Sequence, residues 1–224
     1  MPIFKAKNEN FFKRWTPEMA YVLGFFTADG NMIKNKRGAH FIEFQITDKN
    51  LLERIRGLLG SNHKIAVHKR NTKWKPSYRL QIGSKTIFHD LLKLGLTPNK
   101  SRRLNVPNMP KRYFPDFIRG YFDGDGCVSF GTYSRKDRKN RAHILITRFT
   151  SGNKKFLENL LRTLKARLHL RGGFITSKKN GFDLVFSIKD SLRLCRYIYE
   201  DIKHKIFLKR KFDIFQKALN YWGV

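Results

Sequence analysis

The chain has 224 residues, 41% of them hydrophobic, and 47 Lys and Arg against 17 Asp and Glu, a formal net charge of +30. That excess points to a polyanionic partner. Two cysteines, Cys127 and Cys195, are too few for a disulfide framework, and no run of roughly 18 apolar residues is present to span a membrane. A reducing, intracellular setting is the expectation, with bacterial or archaeal cytoplasm and an organelle fitting equally.

In chain order, residues 1–15 are polar and basic with scattered aromatics and read as an arm. Thr16-Pro17-Glu18 then opens a helix: an N-cap, a proline in the first turn and an acid beside the positive end of the dipole. Gly30 is expected to stop it as a C′ residue. Residues 41–47 alternate with period two, Ile42, Phe44 and Ile46 against Glu43, Gln45 and Thr47, as a half-buried strand does. Asp48 is a candidate cap for a helix with Leu51, Leu52, Ile55, Leu58 and Leu59 on one face, closed by Gly60. Residues 78–82 alternate again, Tyr78, Leu80 and Ile82 opposing Arg79 and Gln81. A helix over 85–94 carries Ile87, Phe88, Leu91 and Leu92.

Residues 97–114, with Pro98, Pro107 and Pro110 among basic residues, read as an exposed linker between a first half (16–96) and a second half (115–224). The second half repeats the order. Pro115 opens a helix, 127–133 and 143–150 read as strands, and Phe156, Leu157, Leu160, Leu161 and Leu164 make a helical face. Residues 174–177 and 182–188 are strands, the latter with Phe182, Leu184, Phe186 and Ile188 inward. Helices follow over 191–201 and 212–222. Each half thus reads helix, two strands, helix, two strands, helix: an α+β tandem repeat whose antiparallel sheets pack one face on helices and leave the other polar. The free faces carry Glu43, Gln45, Thr47, Arg79, Gln81, Arg148, Thr150 and Ser187, and the net charge makes them a candidate nucleic-acid surface. Counting along the strands matches Glu43 with Ile146 and Gln45 with Arg148, so the two faces are unequal.

The repeat is sharpest in two stretches. Val22-Leu23-Gly24-Phe25-Phe26-Thr27-Ala28-Asp29-Gly30 is echoed by Ile118-Arg119-Gly120-Tyr121-Phe122-Asp123-Gly124-Asp125-Gly126. Each ends an apolar helix in a carboxylate, where the macrodipole makes an acid unfavourable by roughly 0.3–1 kcal/mol. Small residues four apart, Gly24 and Ala28 in one copy and Gly120 and Gly124 in the other, let two helix backbones approach closely. Helices packed that way end together and bring Asp29 and Asp125 close. Adjacent carboxylates repel unless a cation lies between them, and hard oxygen ligands suit Mg²⁺, which can stabilise both oxygens of a phosphodiester displacement.

On these two motifs and the order of elements between them, the chain resembles a single-chain LAGLIDADG homing endonuclease. The segment Gly95-Leu96-Thr97-Pro98-Asn99-Lys100-Ser101 is similar to the family's stretch bearing a catalytic lysine. The resemblance implies an αββαββα fold in each half, related by a pseudo-twofold axis, with two four-stranded sheets forming a saddle on double-stranded DNA. It implies divalent-metal binding by Asp29 and Asp125, cleavage of both strands across the minor groove with short 3′ overhangs, and a monomer that reads a long asymmetric site. Lys100 takes the basic role in the first half; in the second, Lys209 and Lys211 both qualify. Asp48 and Ser151, after the second strand of each half, are candidates for ordering water as well as for capping. The motif's sixth position differs, Thr27 against Asp123, and carries no assigned chemistry. Two other readings share the scaffold: a maturase that binds its host intron RNA, and a non-catalytic DNA-binding regulator.

Overall fold

The computed structural model describes residues 5–69, 75–98, 104–134, 141–200 and 205–223. The first helix, α1 (Pro17–Asp29), starts as its sequence predicts: the Thr16 hydroxyl accepts a hydrogen bond from the Met19 amide at 3.1 Å, with Pro17 in the first turn. Residues 19–27 are all buried, so α1 is apolar around its whole circumference, as a helix enclosed by a core must be.

Gly30 corrects one expectation. It is extended (φ −78°, ψ 155°), not left-handed, and is already the first residue of strand β1 (Gly30–Lys34). Its missing side chain serves packing instead, because a Cβ there would overlap the Phe26 ring of its own helix.

The chain continues through β2 (His40–Ile46), α2 (Lys49–Leu58), β3 (Ile65–His68), β4 (Ser77–Gly83) and α3 (Lys85–Lys93), then α4 (Phe114–Asp125). There follow β5 (Gly126–Ser134), β6 (Arg141–Ser151), α5 (Lys154–Leu168), β7 (Phe174–Lys178), β8 (Gly181–Phe186), α6 (Ile188–Tyr199) and α7 (Lys209–Trp222). This is αββαββα twice over, with α7 added to the second copy. The chain separates into two compact units, Met1–Gly124 and Asp125–Val224, so α4 up to Gly124 packs with the first.

Each unit holds one antiparallel four-stranded sheet, ordered β1-β2-β4-β3 in the first and β5-β6-β8-β7 in the second. In the first sheet Ile42, Phe44, Leu80 and Ile82 are buried. They meet Leu51, Leu52 and Ile55 of α2, Ile87, Phe88 and Leu91 of α3, and the Phe25 and Phe26 rings of α1, which lie 6.4 and 5.1 Å from Phe44. In the second, Leu145, Phe149, Leu184 and Phe186 are buried with Phe156, Leu157 and Leu160 of α5 and Leu194 and Ile198 of α6, while α7 packs on β5. Each such side chain contributes about 1.5–3 kcal/mol by leaving water. Asp48, Ser84 and Asn153 cap α2, α3 and α5 through their side chains. The arm is tied to the first unit by the Asn8 amide on the Leu59 carbonyl and by buried Phe12.

The strand expected to run through Ile188 ends at Phe186; Ile188 begins α6, with Ser187 at its N-cap position. A short turn into a helix breaks the alternation that Leu184 and Phe186 start.

Helices α1 and α4 cross at their glycines. A Cβ on Gly24 would overlap the Phe117 carbonyl oxygen and lie 2.9 Å from the Tyr121 amide nitrogen. A Cβ on Gly120 would overlap the Tyr21 carbonyl oxygen and lie 2.9 Å from the Phe25 amide nitrogen. The two contacts are reciprocal: each helix offers the equivalent atoms to the other's glycine. Backbone cannot move aside as a side-chain tip can, so Gly24→Ala should destabilise by about 1–3 kcal/mol or more. Gly57→Ala, on exposed α2 with open space around the new methyl, should instead stabilise by about 0.5–1 kcal/mol. Urea denaturation midpoints of the two variants check both signs.

Candidate active site at the ends of the motif helices

Asp29 is the last residue of α1 and Asp125 the last of α4. Each is half-buried and passes directly into the first strand of a sheet through a glycine. Neither helix has a basic residue in its last turn to offset the acid. The α1–α4 crossing carries through to this end: a Cβ on Gly124 would overlap that of Ala28 and lie 3.3 Å from Asp29 Oδ2. The Asp29 carboxylate therefore lies against the residue that precedes Asp125 in the chain.

The two lysines of the second half have different settings. Lys209 is exposed and makes a double contact with Asp213, at 2.8 and 2.9 Å, one turn along α7. Lys211 is buried and its Nζ donates to the Gly126 carbonyl at 2.6 Å, one residue beyond Asp125. Two residues on, the helix has turned just over half a revolution, which separates their directions. Lys100 lies outside the described residues.

Asp48 is the N-cap of α2, its Oδ1 accepting from the Leu51 amide at 2.9 Å. Ser151 is buried at the end of β6, and its Oγ accepts from the Asn153 amide at 3.1 Å. Strand pairing aligns the halves by two residues from the count used above. Asn31 pairs with Glu43 where Cys127 pairs with Arg148, and Gly30 with Phe44 where Gly126 pairs with Phe149. Glu43 therefore corresponds to Arg148, not Ile146, and Gln45 to Thr150, not Arg148. Asp48 in turn corresponds to Asn153, the cap of α5. The miscount arises because the expected strands end one residue late in the first half, at Thr47, and one residue early in the second, at Thr150, whereas β2 ends at Ile46 and β6 at Ser151.

The outer faces of both sheets are polar and internally bonded. In the first, Gln81 Nε2 donates to Glu43 at 3.1 Å, Arg79 lies 3.8 Å from the same carboxylate, and Gln45 Nε2 donates to Ser77 Oγ at 3.0 Å. In the second, Thr150 Oγ1 donates to Asp183 at 2.6 Å and Lys178 Nζ lies 2.8 Å from it. Partial burial pushes the Asp183 carboxyl up. The hydrogen bonds from Lys178 and Thr150, with the charges of Lys178 and Arg148, outweigh it and hold the group below its usual range. Arg148 sits between Cys127 and Val185 in register. Two residues proposed for these faces lie beyond the strands. Thr47 is exposed one position past β2, and Ser187 is exposed at the start of α6. Asp183 and Lys178 were missed, although the alternation of β8 around Leu184 already turns Asp183 outward. No helix among the described residues is long and apolar enough to cross a membrane.

The LAGLIDADG-like domain family matches residues 16–95 and 116–199, one match for each repeat. An uncharacterised protein of Methanocaldococcus jannaschii is 24% identical over 213 residues, covering 91% of this chain and 72% of that protein. The DNA-directed RNA polymerase subunit Rpo1C of the same organism is 26% identical over 197 residues; the match covers 86% of this chain and a fifth (20%) of that subunit. Among solved structures, the meganuclease I-SmaMI bound to uncleaveable DNA superposes with a TM-score of 0.64 at 17% identity, over 92% of this chain and 88% of that one. The LAGLIDADG homing endonuclease I-LtrWI bound to target DNA superposes with 0.62 at 14% identity, over 96% and 92%. Those identities speak for the fold alone. The two matched segments together cover well over half the sequence and coincide with the two αββαββα repeats, so the chain belongs to the LAGLIDADG-like domain family.

Proposed function

We propose that this chain is a site-specific endonuclease for double-stranded DNA, with Asp29 and Asp125 as its metal-binding acids. The observation that carries the reading is the doubled acid. Two helices end in a carboxylate their dipoles disfavour, and their glycine crossing lays Asp29 against Gly124.

The donor set fits a divalent hard cation. Mg²⁺ binds through one or two carboxylates and completes its shell with water and substrate phosphate oxygens. Among the described residues no group of three or more His, Cys, Asp or Glu is placed to make a complete cage, which matches a metal held jointly with DNA. When bound, the ion supplies Lewis-acid polarisation and an activated water at neutral pH. The protein's own groups do the rest. Asp29 and Asp125 fix the site at the helix ends. Lys211, buried beside the Gly126 carbonyl, supplies a positive charge for the developing charge on the phosphate, and Lys100 takes that role in the first half. Asp48 uses one acceptor position on the α2 cap and Ser151 one on the Asn153 amide, and both retain lone pairs with which to order water.

The polar outer faces of the sheets supply base recognition in the major groove. Opposite Glu43 in one repeat stands Arg148 in the other, so the half-sites differ and the target is asymmetric. Arg148 and Arg79 suit guanine, and Gln81 and Gln45 suit adenine. A monomer with both faces in one chain reads such a site, and the cut leaves short 3′ overhangs. A chain encoded within an intron fits this activity.

Three outcomes follow. Asp29→Asn and Asp125→Asn should each lower Mg²⁺-dependent cleavage of a selected target at least ~1,000-fold, or leave a single-strand nick, with DNA affinity nearly unchanged. Wild-type rates in both variants overturn the mechanism. Lys211→Met should reduce the cleavage rate roughly 100-fold while Lys209→Met stays within about threefold; single-turnover rates, with melting curves to confirm folding, separate the two lysines. Arg148→Ala should relax preference at one or two base pairs, a loss of about 1–3 kcal/mol of discrimination each. A randomised target library read after cleavage shows whether the loss is local or uniform, and a uniform loss contradicts direct reading by Arg148.

A further inference from the structure

The α1–α4 contact has symmetric backbone and asymmetric side chains. Tyr21 is fully buried in α1, and its hydroxyl donates to Asp123 Oδ2 at 2.7 Å across the crossing. Asp123 is itself 1% exposed. On the same helix Arg119, also 1% exposed, bonds Asp116 at 2.7 Å and places its guanidinium 5.4 Å from the centre of the Tyr21 ring. Four buried groups thus bind each other: a donor and ring from α1, two acids and a guanidinium from α4.

The reciprocal glycine contacts define the equivalent positions. Phe117 in α4 stands where Tyr21 stands in α1, and Thr27 stands where Asp123 stands. Ala20 and Leu23 replace Asp116 and Arg119. On that side of the crossing there is no cross-helix donor and acceptor to match, and the Thr27 hydroxyl turns back to the Leu23 carbonyl of its own helix at 2.7 Å.

We propose that Tyr21 and Asp123, backed by Arg119 and Asp116, form a pairing code that admits only unlike motif helices, so neither helix accepts its counterpart from a second copy of the chain. Two α4-type helices would set each Asp123 against a Phe117 ring, with no hydroxyl to bond it, and would lay each Arg119 on Phe117 in place of Tyr21. Leaving a buried charge with a lost partner costs far more than never burying it. Two α1-type helices offer Tyr21 no carboxylate, only the shorter Thr27 hydroxyl, which lies against the Leu23 carbonyl of its own helix. Glycine packing alone would permit all three pairings; the side chains select one. The device acts on assembly and is independent of DNA cleavage.

Full-length variants test it. Tyr21→Phe/Thr27→Asp gives both helices the same Phe and Asp set, and it should lower the melting temperature by at least roughly 10 °C or yield aggregate only. Adding Phe117→Tyr and Asp123→Thr transposes the code, donor now on α4 and acceptor on α1. The transposed chain, with Arg119 and Asp116 still on α4, should recover at least about half of the lost melting temperature and run as a monomer by light scattering. If the like-paired chain melts with wild type, or the transposed chain is no more stable than the like-paired one, the code does not exist.

Discussion

The backbone contact at Gly24 and Gly120 is the constraint on which the rest depends. Helix α1 is buried on every side, so it has no solvent face and must be enclosed by its own sheet and by α4. Helices with ordinary side chains at the crossing lie 8–10 Å apart. Here each glycine lies against the other helix's carbonyl and amide, with space for no further atom. Two helices pressed that closely over their length have their C-terminal ends fixed by the crossing, not by the loops beyond. Ala28 and Gly124 continue the close approach to the last turn, which is why the Asp29 carboxylate meets α4 at its end.

Acids are scarce in this chain, 17 against 47 bases, and several of them perform specific tasks. Asp48 caps α2. Buried Asp190 accepts the Gly172 amide at 2.6 Å and so holds the α5–β7 loop to α6. Glu9 receives the Ser84 hydroxyl and anchors the arm to α3. Glu43 and Asp183 organise the polar faces of the two sheets, each holding basic and neutral donors in place. Distributed this way, the acids neutralise little of the surface. The positive charge stays available to a polyanion, while arginine and lysine near the sheets are oriented before any ligand arrives.

The elements with a strong period or a cap were readable from the sequence, and those without were not. Thr16-Pro17, Asp48 and the alternations through Phe44 and Leu80 predicted α1, α2, β2 and β4 within about two residues. The edge strands β1 and β3 are short: five and four residues. β3 has no fully buried position to set a period, and β1 follows its helix with no turn residue except Gly30. At the site, the two acids were legible because the motif repeats. The correspondence between the sheet faces was not, because it depends on where each strand ends: alternation of polar and apolar residues runs on through Thr47, past the end of β2, and does not mark Ser151 as the last residue of β6. The choice between Lys209 and Lys211 was equally invisible: both sit in one basic run, and only the fold shows one bonded to Asp213 and the other buried at Gly126. The burial of Asp116, Arg119 and Asp123 was not legible either: nothing in their spacing announces it, and only the fold shows Tyr21 of α1 against Asp123 and Arg119.

What the two halves share and where they differ follow from how many solutions each position allows. At Gly24 and Gly120 the opposing group is backbone, so glycine is the single answer and both copies have it. One layer out, at Tyr21 and Phe117 or Thr27 and Asp123, several packings fill the space, and the two copies have taken complementary ones. Farther out, on the sheet faces, side chains bond one another across the strands and are partly open to solvent, and Glu43 stands where the other half has Arg148. A repeat joined in one chain is free to diverge in this way because each position faces only one partner. A protein built from identical copies would set Tyr21 against Thr27 of the second copy and repeat Glu43 on both sheet faces. Asymmetry in the buried layer fixes which helices meet, and that fixed pairing is what lets the outer layer specialise without the halves exchanging places.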